Sequence, residues 1–275
     1  NWSESGRWSC GHVRGFGDTA NIGSGTVNVT ADASVSDLTL TSGSLTGSGI
    51  LTVTNVMTWT GGTMAGSGAT HIAAGGVLNL SDSGGYLDQN ARTINNAGTA
   101  NWTTGGGNYW YMQGGAVFNN QAGATFNAQA NEGLGASGAG GVFNNYGAFT
   151  RSGAGTSRMD VPVHNSSPVQ AQGGTLNLNA GGSSSGAFDV NAGATLQFGG
   201  GTYALNPGAT LSGAGLYRLT GGTLSISGTV PVSNFEQTAA TLTGNGTLSV
   251  TQAMTWTSGT QSGTGATHIA SGGVL

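Results

Sequence analysis

The chain has 275 residues, 54 of them glycine, yet only 6% are charged and the net charge is -4. With 36% hydrophobic residues it departs from the low-hydrophobicity, high-charge pattern of disordered chains. All its basic residues are arginine, which argues against a phosphate-backbone partner, and no apolar run approaches the ~20 residues of a membrane span.

In chain order, residues 1–25 read as an N-terminal cap segment. They lack the charged and apolar regions of a signal peptide, so the chain is expected to begin inside a longer protein. Cys10 is the only cysteine and has no partner for a disulfide. From Thr26 the apolar residues come in short alternating runs, such as Thr26-Val27-Asn28-Val29, Leu38-Thr39-Leu40 and Leu51-Thr52-Val53, bounded by glycine or small polar residues. These predict strands of about five residues. Glycine interrupts nearly every window long enough for three helical turns, so helices are not expected.

Two repeats organise the rest. Leu45–Leu78 matches Leu242–Leu275 without a gap at an offset of 197 residues, with Met57, Trp59 and His71 recurring as Met254, Trp256 and His268. The chain is therefore expected to run partway into a second copy of a long unit. The shorter repeat is a coil-length motif. It appears as Ile72-Ala73-Ala74-Gly75-Gly76-Val77-Leu78, Val190-Asn191-Ala192-Gly193-Ala194-Thr195-Leu196 and Leu205-Asn206-Pro207-Gly208-Ala209-Thr210-Leu211. A related series places Asn96, Asn120, Asn145 and Asn165 at steps of 24, 25 and 20 residues. A five-residue strand cannot bury its apolar face alone, but equivalent strands stacked about 4.8 Å apart enclose a continuous core. Residues 26–275 are accordingly read as one all-β solenoid of about 20–25 residues per coil. Phe118 and Phe143 should share a core column, and Asn96, Asn120 and Asn145 a stacked corner ladder.

The stretches INNAGTANW, FNNQAGATFNAQ, FDVNAGATLQF and GGTLNLN resemble coils of large bacterial secreted and surface β-helix proteins, the filamentous-haemagglutinin-like and autotransporter-like adhesins. Trp2 and Trp8, followed by Gly15-Phe16-Gly17-Asp18-Thr19-Ala20-Asn21-Ile22, resemble the lead-in of such proteins. The resemblance implies a right-handed parallel β-helix exported from a bacterium to the cell surface or medium, without a cofactor. Its partners would be neighbouring repeats or further copies stacked end to end, with glycans or surfaces as attachment targets. The final run Thr267–Leu275 repeats an interior coil, so its strand edge is expected to recruit such a neighbour.

Candidate sites are few. Tyr109-Trp110-Tyr111 is the densest aromatic cluster, and rings at that spacing suit stacking on sugars as well as core packing. In Arg158-Met159-Asp160-Val161-Pro162-Val163-His164, alternation sends Met159, Val161 and Val163 inward and leaves Arg158, Asp160 and His164 on one outer face. The acids are otherwise scattered without a shared register, so a polysaccharide-degrading enzyme is the alternative to a structural or adhesive segment. His71 and His268 have no metal-ligand spacing around them, and Cys10-Gly11-His12 is too small a set for zinc. An ice-binding face is a minor alternative, because the threonine pairs at Thr39/Thr41, Thr52/Thr54 and Thr58/Thr60 do not recur at coil spacing.

Overall fold

A computed structural model describes residues 2–3, 15–82, 85–103, 107 and 109–275; Cys10, His12 and Trp8 lie outside the described residues. The chain is an all-β parallel β-solenoid of about 12 turns. It divides into two compact units, Asn1–Gly147 and Ala148–Leu275.

In the first unit each coil crosses three faces. One face stacks Thr26–Asn28, Ser44–Thr46, Gly62–Ala65, Leu87–Asn90, Trp110–Gln113 and Gly133–Ser137. The second carries Ala69–Ile72, Thr93–Asn96, Val117–Asn120 and Val142–Asn145, and the third Val77–Ser81, Thr99–Thr103 and Thr125–Ala128. The long strands Ala33–Leu40 and Ile50–Trp59 run across both of these faces, bending at a register shift between Val35 and Asp37. Pairing already begins at Thr19–Ile22, against Asp37–Leu40.

Coil length differs from the expected 20–25 residues at both ends of the range. The Asp32–Ile50 bond spans 18 residues and the Asn101–Asn127 bond 26. The short coils belong to the long strands, which turn the corner by a bulge and need no separate turn residues. Where a turn is required, glycine supplies it: Gly47 has φ +114°, and a β-carbon there would lie 2.2 Å from the Val29 carbonyl of the previous coil.

Inside, equivalent positions form columns of complementary size. Leu40, Trp59, Leu80, Trp102 and Ala128 succeed one another in one column, beside Leu38, Met57, Leu78, Ala100 and Phe126 in the next. Small Ala100 adjoins Trp102 and Ala128 adjoins Phe126, so the bulk alternates and fills the interior. Phe118 and Phe143 are both fully buried and stack at 5.0 Å with planes 11° apart.

The first unit also buries a cation. Arg92 is fully buried at a corner, where its guanidinium donates to Thr70 Oγ1 at 2.9 Å and to the carbonyls of Ala69 at 2.7 Å and Ala65 at 3.3 Å. Gly47 and Gly49, a further coil back, accept at 3.4 and 3.5 Å. Burial lowers its pKa to about 10. The planar fork thus ties corner carbonyls of successive coils, a role for which only arginine has enough donors.

The second unit repeats the design with Thr156–Met159, Thr175–Leu178, Thr195–Phe198 and Leu216–Leu219 stacked on one face, and Val163–Asn165, Gly182–Ser184, Thr202–Leu205 and Thr223–Ile226 on another. Its core holds two buried tyrosines whose hydroxyls are satisfied by backbone. Tyr217 donates to Ser212 O at 2.7 Å or Phe188 O at 2.9 Å, and Tyr203 to Ser183 O at 3.2 Å. Val163–Asn165 continues to Thr260–Gln261 through the same face.

Candidate functional site

Strand alternation sorts the aromatic cluster at residues 109–111. Trp110 and Met112 face inward, and Tyr109 and Tyr111 outward. Trp110, grouped by sequence with the stacking candidates, is 1% exposed and serves the core instead. Its ring meets Phe118 at 5.3 Å, Trp102 at 6.2 Å and Trp59 at 6.3 Å, each edge to face. A side chain so enclosed cannot touch a ligand.

The two outward tyrosines gain a third from the preceding coil. The Leu87 amide donates to the Tyr109 carbonyl at 3.2 Å, which sets Tyr86 beside Tyr109. Tyr86 is 54% exposed. Its ring lies 5.2 Å from that of Tyr111 at 65°, and Tyr109 and Tyr111 lie 5.6 Å apart at 32°. Sequence reading missed Tyr86. The signal was present: Gly84-Gly85-Tyr86-Leu87 and Gly107-Asn108-Tyr109-Trp110 both carry glycine, then tyrosine, then a large inward residue one coil apart. On the other side, Tyr111 pairs with Gly135, whose missing side chain leaves the ring room to lie over the next coil. Slight burial first, then the neighbouring Tyr86 and Tyr109 hydroxyls, raise the Tyr111 pKa, so the phenol stays neutral.

Polar groups border the rings. Asp88 stands in register with Tyr111 on the outer face. Gln113 Nε2 donates to Asp88 Oδ1, and Thr63 Oγ1 donates to Oδ2 at 3.3 Å. At the corner leading into this face, Glu132 Oε1 accepts from the Gly107 amide at 2.9 Å. Burial first and the charge of Asp82 second push the Glu132 carboxyl above the usual range, and the Gly107 bond partly opposes them. Stacking has therefore brought together two acids, 82 and 132, that are far apart in sequence.

The other sequence candidates resolve differently. Met159, Val161 and Val163 are buried as alternation requires, and Arg158 pairs with Asp160. The outer face is not shared, however. Arg158 belongs to Thr156–Met159 and His164 to Val163–Asn165, on different faces, because the chain turns at Asp160-Val161-Pro162. Proline cannot supply a ladder N–H, and the corner falls there. Asp160 instead accepts from Asn179 at 2.6 Å, and His164 Nδ1 lies 2.9 Å from Ser183 Oγ. His71 stacks outward between Thr52 and Asn95, and His268 lies opposite Ser249. No group of three or more His, Cys, Asp or Glu able to hold a metal occurs among the described residues. Thr39 opposes Thr58, whereas Thr52 lies on the face of His71, so the threonine pairs are divided between faces.

Asparagine ladders run along two outer faces and one corner of the first unit. Asn96 donates to Asn120 at 2.9 Å and Asn120 to Asn145 at 2.8 Å, all fully buried. Half-exposed ladders join Asn95, Asn119 and Asn144 at 2.7 and 2.9 Å, and Asn79, Asn101 and Asn127 at 3.1 and 2.9 Å. In each, one amide satisfies the next.

No protein-family model matches the chain, and no curated protein or solved structure matches it. No helix among the described residues is long and apolar enough to cross a membrane.

Proposed function

We propose that the chain is a structural and adhesive segment of a large exported bacterial repeat protein, in which the coils act as scaffold and the Tyr86, Tyr109 and Tyr111 rings contact a glycan on a target surface. The observation that carries this reading is the outward-facing tyrosine group on adjoining coils, with Tyr86 exposed and Tyr109 and Tyr111 partly so. The half-exposed ladders of Asn95, Asn119 and Asn144 and of Asn79, Asn101 and Asn127 use their amides on one another along the stack. The tyrosines present aromatic rings on the outer face, and such rings attract the C–H face of a sugar through the ring quadrupole. The near-repetition of Leu45–Leu78 at Leu242–Leu275 supports an array of such units, each the stacking partner of the next.

A glycan array and a surface-attachment assay on the purified chain test the proposal. Binding that is lost in Tyr109→Ala and Tyr111→Ala at unchanged melting temperature supports it. Binding indifferent to both substitutions removes the platform from the reading, and a chain that attaches to nothing is scaffold alone.

A further inference from the structure

We infer that the tyrosine platform selects an uncharged sugar chain, with Asp88 as the residue that holds a pair of its hydroxyls. This rests on the glycan reading above and adds to it the ligand's chemical class and a residue for its recognition. A pyranose has a C–H face suited to an aromatic ring and a rim of hydroxyls that needs polar partners. Asp88 lies in register with Tyr111 on the same outer face and two residues beyond Tyr86, whose ring meets that of Tyr111, so the polar partner adjoins the rings. Its two oxygens each receive one protein donor, Gln113 Nε2 on Oδ1 and Thr63 Oγ1 on Oδ2. An ionised carboxylate has about four acceptor sites, so about one remains on each oxygen, the number two neighbouring hydroxyls require. Those two donors also fix the carboxylate's orientation before a ligand arrives.

The same surroundings reject acidic sugars. Among the described residues of the first unit, Asp88 lies on this face, and Glu132 and Asp82 lie at the corner leading into it. The chain contains no lysine, and Arg92 has its guanidinium buried among corner carbonyls. A uronate carboxylate laid over Tyr111 would face Asp88, and the described residues of the first unit offer no exposed lysine or arginine to offset the repulsion.

Binding is measured by calorimetry with a panel of neutral hexose oligomers and uronic acid oligomers of equal length, at low and high salt, for the wild-type chain and Asp88→Asn. The wild type should prefer the neutral panel by about tenfold or more, and salt should narrow the gap by screening. Asp88→Asn should weaken neutral binding about tenfold, through the lost acceptor, and strengthen uronate binding, through the lost charge. Equal binding of both panels by the wild type at low salt overturns the inference without any variant. So does neutral binding that is abolished by Tyr111→Ala yet unchanged in Asp88→Asn, and both of these outcomes leave the platform standing. A wild-type chain that binds neither panel overturns the platform and the inference together.

Discussion

The Tyr111 ring lies so close to Gly135 of the following coil that a β-carbon at position 135 would come within 3.2 Å of Tyr111 Cε1. The glycine therefore decides where the ring rests. Gly135→Val suits a strand but displaces the ring. The expected result is a melting temperature within a few degrees of wild type and a clear loss of glycan binding, read side by side on one preparation.

Arg92 carries a different expectation. Replacing it by methionine keeps much of the volume but strips the donors from Ala69 O and Thr70 Oγ1, the two shortest of its bonds. Loss of buried partners of this kind costs about 1–3 kcal/mol each, so Arg92→Met should destabilise the first unit by about 2–4 kcal/mol after relief of the buried charge. Arg92→Lys should also destabilise, because a single ammonium cannot span the same acceptors. Urea unfolding curves of the three proteins provide the comparison.

In the buried amide ladder Asn120 is central, accepting from Asn96 and donating to Asn145. Asn120→Ala leaves both neighbours short of a partner, for about 2–3 kcal/mol. Asn120→Asp should cost at least as much, since it removes the donor to Asn145 and buries a carboxyl group beside it. By contrast, Asn119→Ala interrupts a half-exposed ladder whose neighbours can turn to water, and should cost well under about 1 kcal/mol.

Glu132 makes a contribution of definite sign to the pH dependence of the first unit. Its carboxyl is raised above the ordinary 4.5 by burial and then by Asp82, so the folded state holds this proton more tightly than the unfolded chain does. The corresponding stabilisation is complete below the unfolded value and is lost as pH rises through the folded one. Glu132→Gln should remove that part of the slope and raise the melting temperature most at neutral pH. Thermal melts of both proteins between about pH 4 and pH 8 measure it.

Ala91 is one of two non-glycine residues with positive φ among the described residues, at +59°, beside the buried Arg92. The corresponding turn in the next coil uses Gly114 at +62°. Ala91→Gly removes the left-handed penalty of about 1–2 kcal/mol at the cost of chain entropy, so a net gain of about 0.5–1 kcal/mol is expected in the same urea experiment.

Much of this architecture was legible in the sequence because a solenoid writes its period into the chain. The alternation of Val117-Phe118-Asn119-Asn120 and Val142-Phe143-Asn144-Asn145, 25 residues apart, implies both the inward phenylalanine column and the asparagine ladder, since stacked strands place like residues over like. Alternation also required Trp110 to oppose Tyr109 and Tyr111, but it could not say which side faced the core. That depended on the volume available beside Trp59, Trp102 and Phe118, which three-dimensional packing alone defines. The same limit hid Tyr86 from the aromatic group, set Asp82 near Glu132 and drew Arg92 into the interior, because each relationship crosses coils of unequal length. Local pattern thus determined the repeating strand and its two sides. The corners, whose lengths vary from coil to coil, decided which distant residues meet.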